Sequence, residues 1–144
     1  MKNLLILAII SATIVLGSCA THAPRPDQIT QVPADRLHGY QTKRGDDAEI
    51  IVTRDAGALG AACRSAFFID GKQVAEIGPK ERAHFYVSPG EYVLGIWNTG
   101  HGLCGYRAGK DRRETGQTFS ANETRRFRIT LDPGAGETLT PTTF

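Results

Sequence analysis

From residue 46 onward, apolar and polar positions alternate in short runs separated by turn residues. In AEIIVTR (48–54), Ile50 and Val52 share one face. In CRSAFFI (63–69), Cys63, Phe67 and Ile69 do so. ERAHFYV (81–87) points Ala83, Phe85 and Val87 one way and Arg82, His84 and Tyr86 the other. EYVLGIW (91–97) puts Tyr92, Leu94 and Ile96 on the core side, and TRRFRITL (124–131) sets Phe127, Ile129 and Leu131 against Arg126, Arg128 and Thr130. A period of two marks a half-buried strand. KQVAEI (72–77), RRETGQTF (112–119) and ETLTPTT (137–143) add three more candidates, the last confined to an edge by Pro141. Turn residues punctuate these runs. Asp70-Gly71 suits a two-residue hairpin, whose central positions need positive φ. Ser88-Pro89-Gly90 suits a tight turn with proline and glycine at its centre. Seven or eight strands so spaced predict an all-β fold, a single two-sheet antiparallel sandwich over residues 46–144.

The chain ahead of this domain has a different pattern. Residues 20–45 carry Pro24, Pro26 and Pro33 and no period, which reads as a flexible linker spanning roughly 30 Å as a random coil. At the amino terminus, Lys2 precedes a run, residues 4–16, that is mostly apolar. The run is shorter than the ~20 residues a spanning helix needs, and it suits the core of a secretory signal peptide. It ends in Leu16-Gly17-Ser18-Cys19, which resembles the lipobox of bacterial lipoproteins. The resemblance implies a signal peptide over 1–18, diacylglycerol on the Cys19 thiol and an acylated new amino terminus bearing a palmitate-type chain. Residues 19–45 would then be a lipid-attached linker. In a Gram-negative cell, Ala20 in place of aspartate would imply sorting to the outer membrane, at its periplasmic face. Each buried methylene contributes ~0.8 kcal/mol, so several chains together anchor firmly. The alternatives are a plain signal peptide cut further on, or an uncleaved anchor.

Cleavage changes the arithmetic of charge and cysteine. The formal charge of +2 falls by one with Lys2, and near-neutrality argues against a general polyanion binder; nucleic acid is not an expected partner in an envelope compartment. Cys63 and Cys104 remain as an even pair in an exported chain, which favours a disulfide. Closing that loop would stabilise by about 4 kcal/mol. Two free thiols are one rival reading. The other is a metal site in which His101 and Cys104 are completed by Cys63 or His84, although structural zinc needs four ligands.

The run FFIDGKQVAEIGPKERAHFYVSPGEYVLGIW (67–97) resembles small bacterial lipoproteins of unknown function, and is similar to PEGA-type β-domains through Asp70, Gly71, Pro89 and Gly90. FSANETRRFRI (119–129) extends the likeness to the lipoproteins. The resemblance implies a sandwich-like fold in the cell envelope and brings no catalytic residue. None emerges from the residues either. Ser65 and Ser88 lack the glycine frame of a nucleophile elbow, and GALGAA (57–62) lacks the Lys-Ser/Thr of a phosphate loop. No cofactor is expected. Candidate partner-surface residues are Trp97, His101, Tyr106, Arg126 and Arg128. Aromatic rings stack on sugars, and the arginines, with Arg125, would share an outer face if the sixth and seventh strands pair. Trp97 is also a candidate for the core. The expected function is a non-catalytic, membrane-anchored binder of an envelope polysaccharide or partner protein. The alternatives are an accessory subunit of an envelope assembly and, behind that, an inhibitor of a wall-degrading enzyme acting through the loop 98–110.

Overall fold

A computed structural model describes residues 21–58, 60–98, 104 and 112–144. Cys19, His101 and Tyr106 lie outside the described residues. The described chain is all-β: β1 (Thr30–Gln31), β2 (Ala48–Arg54), β3 (Ser65–Ile69), β4 (Lys72–Ile77), β5 (Glu81–Val87), β6 (Gly90–Asn98), β7 (Arg113–Phe119), β8 (Thr124–Asp132) and β9 (Gly136–Thr142). They form two sheets, ordered β1-β5-β2-β8-β9 and β4-β3-β6-β7.

The alternating positions build one core. Ile50 and Val52 of β2, Phe85 of β5 and Ile129 of β8 come from the first sheet. Phe67 and Ile69 of β3, Ile77 of β4 and Leu94 and Ile96 of β6 come from the second. Phe67 and Phe85 meet across the sheets, with ring centroids 5.1 Å apart. The Asp70-Gly71 hairpin takes the positive φ values its type demands, 48° and 75°. Its register shifts between Phe67 and Phe68.

Four expectations need correction. The sheets are not purely antiparallel, because β2 runs parallel to β8 and β1 parallel to β5. The strands expected sixth and seventh, β7 and β8, do not pair; each lies in a different sheet. Their shared arginine face therefore does not form, and Arg125 points the other way from Arg126 and Arg128. Its guanidinium lies over Phe119 and Phe127 at the end of the core. Cys63 precedes β3 rather than belonging to it.

Fourth, the expected linker is not free of the domain. Across residues 21–45 the chain is bound to the domain. Val32 is buried in the core, and Leu37 and Tyr40 pack against it. The Thr30 and Val32 N–H groups donate to carbonyls of Lys80 and Arg82, and Tyr86 N–H donates to Tyr40 O, so the segment runs along the free edge of β5. The His38 N–H donates to Val74 O, and Leu37 bridges Ala75, covering the edge of β4. Arg36 clamps this strap with two bonds to the Glu81 carboxylate, that from Nη1 at 2.8 Å. Prolines stop a helix but not an extended edge segment, whose other residues still offer N–H and C=O groups. An uncovered edge invites pairing with other chains, and this one is covered.

Candidate functional site

The two ends of the sheets differ in chemistry. At the end where β2 begins and β5 finishes, the strap turns into β2 and leaves a groove of about 320 Å³. Three tyrosines meet there, Tyr40 from the strap, Tyr86 from β5 and Tyr92 from β6, together with Gln41, Arg44, Asp47 and Ser88.

Local sequence explains each placement. Tyr40 follows Gly39 and sits at φ 59°, a left-handed conformation that costs a bulky residue energy. The bond from Tyr86 N–H to its carbonyl (2.8 Å) and the reach of Gln41 Nε2 to His84 O (3.0 Å) hold it there. The buried Asp47 carboxylate accepts from Arg44 N–H at 2.9 Å and from the Ser88 hydroxyl at 3.2 Å, joining the strap's last turn to the β5–β6 turn. Tyr92 Oη donates to Ser88 O at 3.0 Å, while its ring packs edgewise on Phe119. Burial raises the phenol pKa of Tyr92, and the nearby Tyr40, Asp70 and Asp47 add to the effect.

Tyr86 links the groove to a polar cluster on the outer face of the first sheet. The register sets Glu49 opposite Tyr86 on β5 and opposite Thr124 on β8. His84 Nδ1 lies 2.9 Å from Glu49 Oε1, and the Tyr86 and Thr124 hydroxyls each reach the carboxylate at 3.4 Å. Partial burial opposes ionisation of Glu49, but the bonds and charge from His84, with those from Thr124 and Tyr86, hold its carboxyl below the usual range. Burial, then the Glu49 charge, raises Tyr86. A nucleophile needs its hydroxyl on the imidazole. Here the hydroxyls and the imidazole all address one carboxylate, which orders the face without activating an attacking group.

Among the residues singled out from the sequence, Cys63 and Cys104 form the disulfide, with Cα atoms 5.4 Å apart. That removes both thiols from the metal reading, and no cluster able to hold a metal ion occurs among the described residues. Trp97 is half-buried and outside the core. Its ring lies against Phe68 on the outer face of the second sheet, with the Arg112 guanidinium 4.7 Å above Phe68. Trp97 Nε1 is buried and has no hydrogen-bond partner among the described residues. Arg126 is exposed on the outer face of the first sheet. Arg128 is committed: it binds Asp55, whose side chain is fully buried, through Nε (2.9 Å) and Nη2 (2.6 Å). None of these residues lines the tyrosine groove.

Sequence reasoning missed the groove because Tyr40, Gln41 and Arg44 lay in the presumed linker. The available signal was an aromatic residue after a glycine in a stretch otherwise poor in apolar residues. It also missed Arg54, which is 1% exposed yet charged. Arg54 donates to the carbonyls of Gly60, Cys63 and Ile77 and so fixes the turn that carries the disulfide. Burial lowers its pKa, opposed by the charges of Glu137 and Glu81. No protein-family model matches the chain, and no curated protein matches it.

Proposed function

We propose that this chain is a lipid-anchored, non-catalytic β-sandwich module of the cell envelope that binds an envelope polysaccharide at the tyrosine groove. The observation that carries the binding reading is the convergence of Tyr40, Tyr86 and Tyr92 beside Gln41 and Arg44. Sugar rings have apolar faces that stack on aromatics and hydroxyls that need polar partners, and the groove offers both. Strain at Tyr40 supports the same reading, since such conformations persist where surrounding structure enforces them and cluster at ligand sites. The anchorage reading comes from Leu16-Gly17-Ser18-Cys19 behind the apolar run, and implies acylation at Cys19 on the periplasmic face of an outer membrane. The sandwich reading is supported by two sheets sharing one core.

The test is calorimetric titration of the detergent-solubilised full chain with oligosaccharides released from peptidoglycan and from lipopolysaccharide. Tyr40→Ala and Tyr92→Ala should each weaken binding about tenfold or more, as expected for losing a stacking anchor of about 1.4 kcal/mol. Absence of binding to every glycan would overturn the proposal. A second reading, an accessory subunit of an envelope assembly, is favoured by a separate observation: β7 and β9 are sheet edges with no strand neighbour among the described residues. Such edges can accept a strand from a partner protein. Stoichiometric co-purification of one protein from solubilised membranes would favour it.

A further inference from the structure

Thr21, the first described residue, is already bound to the fold. Its N–H donates to Leu131 O at 3.1 Å, and its hydroxyl accepts from Leu131 N–H at 2.8 Å. His22 exchanges two backbone bonds with Ala56, each 2.9 Å. These contacts fix the start of the described chain to the pole where β2 and β8 end. An anchor on residue 19 is two peptide steps away, and a fully extended chain advances at most ~3.6 Å per residue, about 7 Å in all. A tether that short cannot hold the domain off a surface. We infer that, in the chain acylated at Cys19, this pole rests on the lipid headgroups and the tyrosine groove faces away from the bilayer. The inference depends on the lipid anchorage proposed above, and it replaces a domain on a ~30 Å leash with one seated on the membrane.

The pole combines small side chains with a few charged ones. The loop after β2 presents small uncharged side chains, with Ala61 and Ala62 exposed. Two carboxylates beside it accept hydrogen bonds. Asp55 is buried under Arg128, and Asp132 Oδ1 accepts the N–H groups of Gly134 and Ala135 in its own turn. Asp132 is exposed, and those two N–H groups lower its pKa and keep it ionised, so headgroup phosphates would meet a like charge at that turn. The groove lies at the far end of β2, seven residues or about 20 Å along the strand. Cys104, bonded to Cys63, is at the seated pole, so the disulfide lies on the membrane side of the domain rather than the wall side.

The experiment uses the full chain, purified in its acylated form and reconstituted in phosphatidylethanolamine–phosphatidylglycerol vesicles carrying a nitroxide-headgroup lipid. A fluorescent amino acid replaces Ala61 in one variant and Thr42, beside the groove, in another; both positions are exposed. Quenching should be several-fold stronger at position 61 than at 42. A long Gly/Ser insert between Ala20 and Thr21 should abolish the difference. Equal quenching at both positions, with Cys19 shown by mass to be acylated, would overturn the seated orientation and leave anchorage standing. An unmodified Cys19 would overturn the anchorage, and this inference with it.

Discussion

At the pole where β2 ends, the chain is tied together several times over. The Cys63–Cys104 bond, the three carbonyls held by Arg54, the Asp55–Arg128 pair and the Ser65–Glu137 hydrogen bond all converge there. At the opposite pole, where β5 hands over to β6, the ties are turns and half-exposed hydroxyls: Asp47 with Ser88, Tyr92 with the Ser88 carbonyl, Tyr86 with Glu49. Buried, multiply bonded polar groups resist local opening, whereas exposed backbone and side-chain bonds open at low cost. The division places rigidity where a short tether would pull and adaptability where a ligand would bind. Substitutions at the first pole should cost folding stability, and those at the second should cost binding.

The largest effect should come from the disulfide. Cys63→Ser, or reduction of the wild type, removes a cross-link spanning a sequence separation of 41, with a loss of about 4 kcal/mol on the chain-entropy account. Thermal melting should fall by roughly 10–20 °C. Hydrogen exchange should quicken first around residues 60–65 while the amides of β5 and β6 beside the groove keep their protection. Uniform loss of protection at both poles would break the contrast.

Next in size is Asp55→Asn. The carboxylate has no solvent exposure and meets the Arg128 fork with two bonds. Arg128 is a quarter exposed, so its stranded charge can reach water, and the cost should be about 1–3 kcal/mol rather than the larger figure for a fully buried pair. Denaturant titration gives the value. A loss equal to that of a typical surface substitution would show that Asp55 contributes little to the rigid pole.

The strap between the poles supplies a pH test. Partial burial opposes ionisation of Glu81, but the Arg36 hydrogen bonds and charge, with the Gly78 N–H, lower its pKa below the ordinary 4.5. The pull is mutual, since the bond to Glu81 raises Arg36. Glu49 is lowered in the same direction. A carboxyl depressed in the folded state contributes stability that is present above its unfolded pKa and is lost as pH falls through the folded value. Melting temperature should therefore hold from neutrality to about pH 4.5 and fall below it. Glu81→Gln should lower the neutral plateau by about 1 kcal/mol, in keeping with a mostly but not fully buried pair, and make the acid limb shallower. An unchanged acid limb would show that the strap is held by Val32 and the backbone bonds alone.

How much of this was legible in the sequence follows from which forces leave a periodic trace. Burial of one strand face does, so β4 and β5 appear over the very residues of KQVAEI and ERAHFYV, and the core positions of β8 are correctly assigned. The disulfide was legible because Cys63 and Cys104 are left as an even pair once the amino terminus is read as an export signal. Strand order leaves no trace: nothing in TRRFRITL says that it pairs in parallel with AEIIVTR rather than with its neighbour RETGQTF. The strap leaves none either, because an edge segment alternates only where it happens to touch the core, here at Val32, Leu37 and Tyr40. The groove was hidden for that reason, half of it being strap.

The smallest effect on stability, and the sharpest separation of the poles, should come from Tyr86→Phe. The phenol oxygen is 3.4 Å from Glu49 Oε1, at the long limit for such a bond, and His84 at 2.9 Å already satisfies that carboxylate. Removing the hydroxyl leaves the ring in place and strands no buried donor, so the change in folding free energy should be below about 0.5 kcal/mol. The apparent pKa of Glu49 should rise slightly, because one of the bonds stabilising its charged form is gone. The groove, however, keeps the Tyr86 ring and its shape. If the three tyrosines bind only by stacking, Tyr86→Phe should bind glycan as the wild type does while Tyr40→Ala fails. If the hydroxyl bonds a sugar oxygen, affinity should fall by about 0.5–1.5 kcal/mol, roughly two- to tenfold, with melting unchanged. A variant that instead melts well below the wild type would show that the distal pole is held by its side chains as firmly as the other, and the contrast between the poles would not stand.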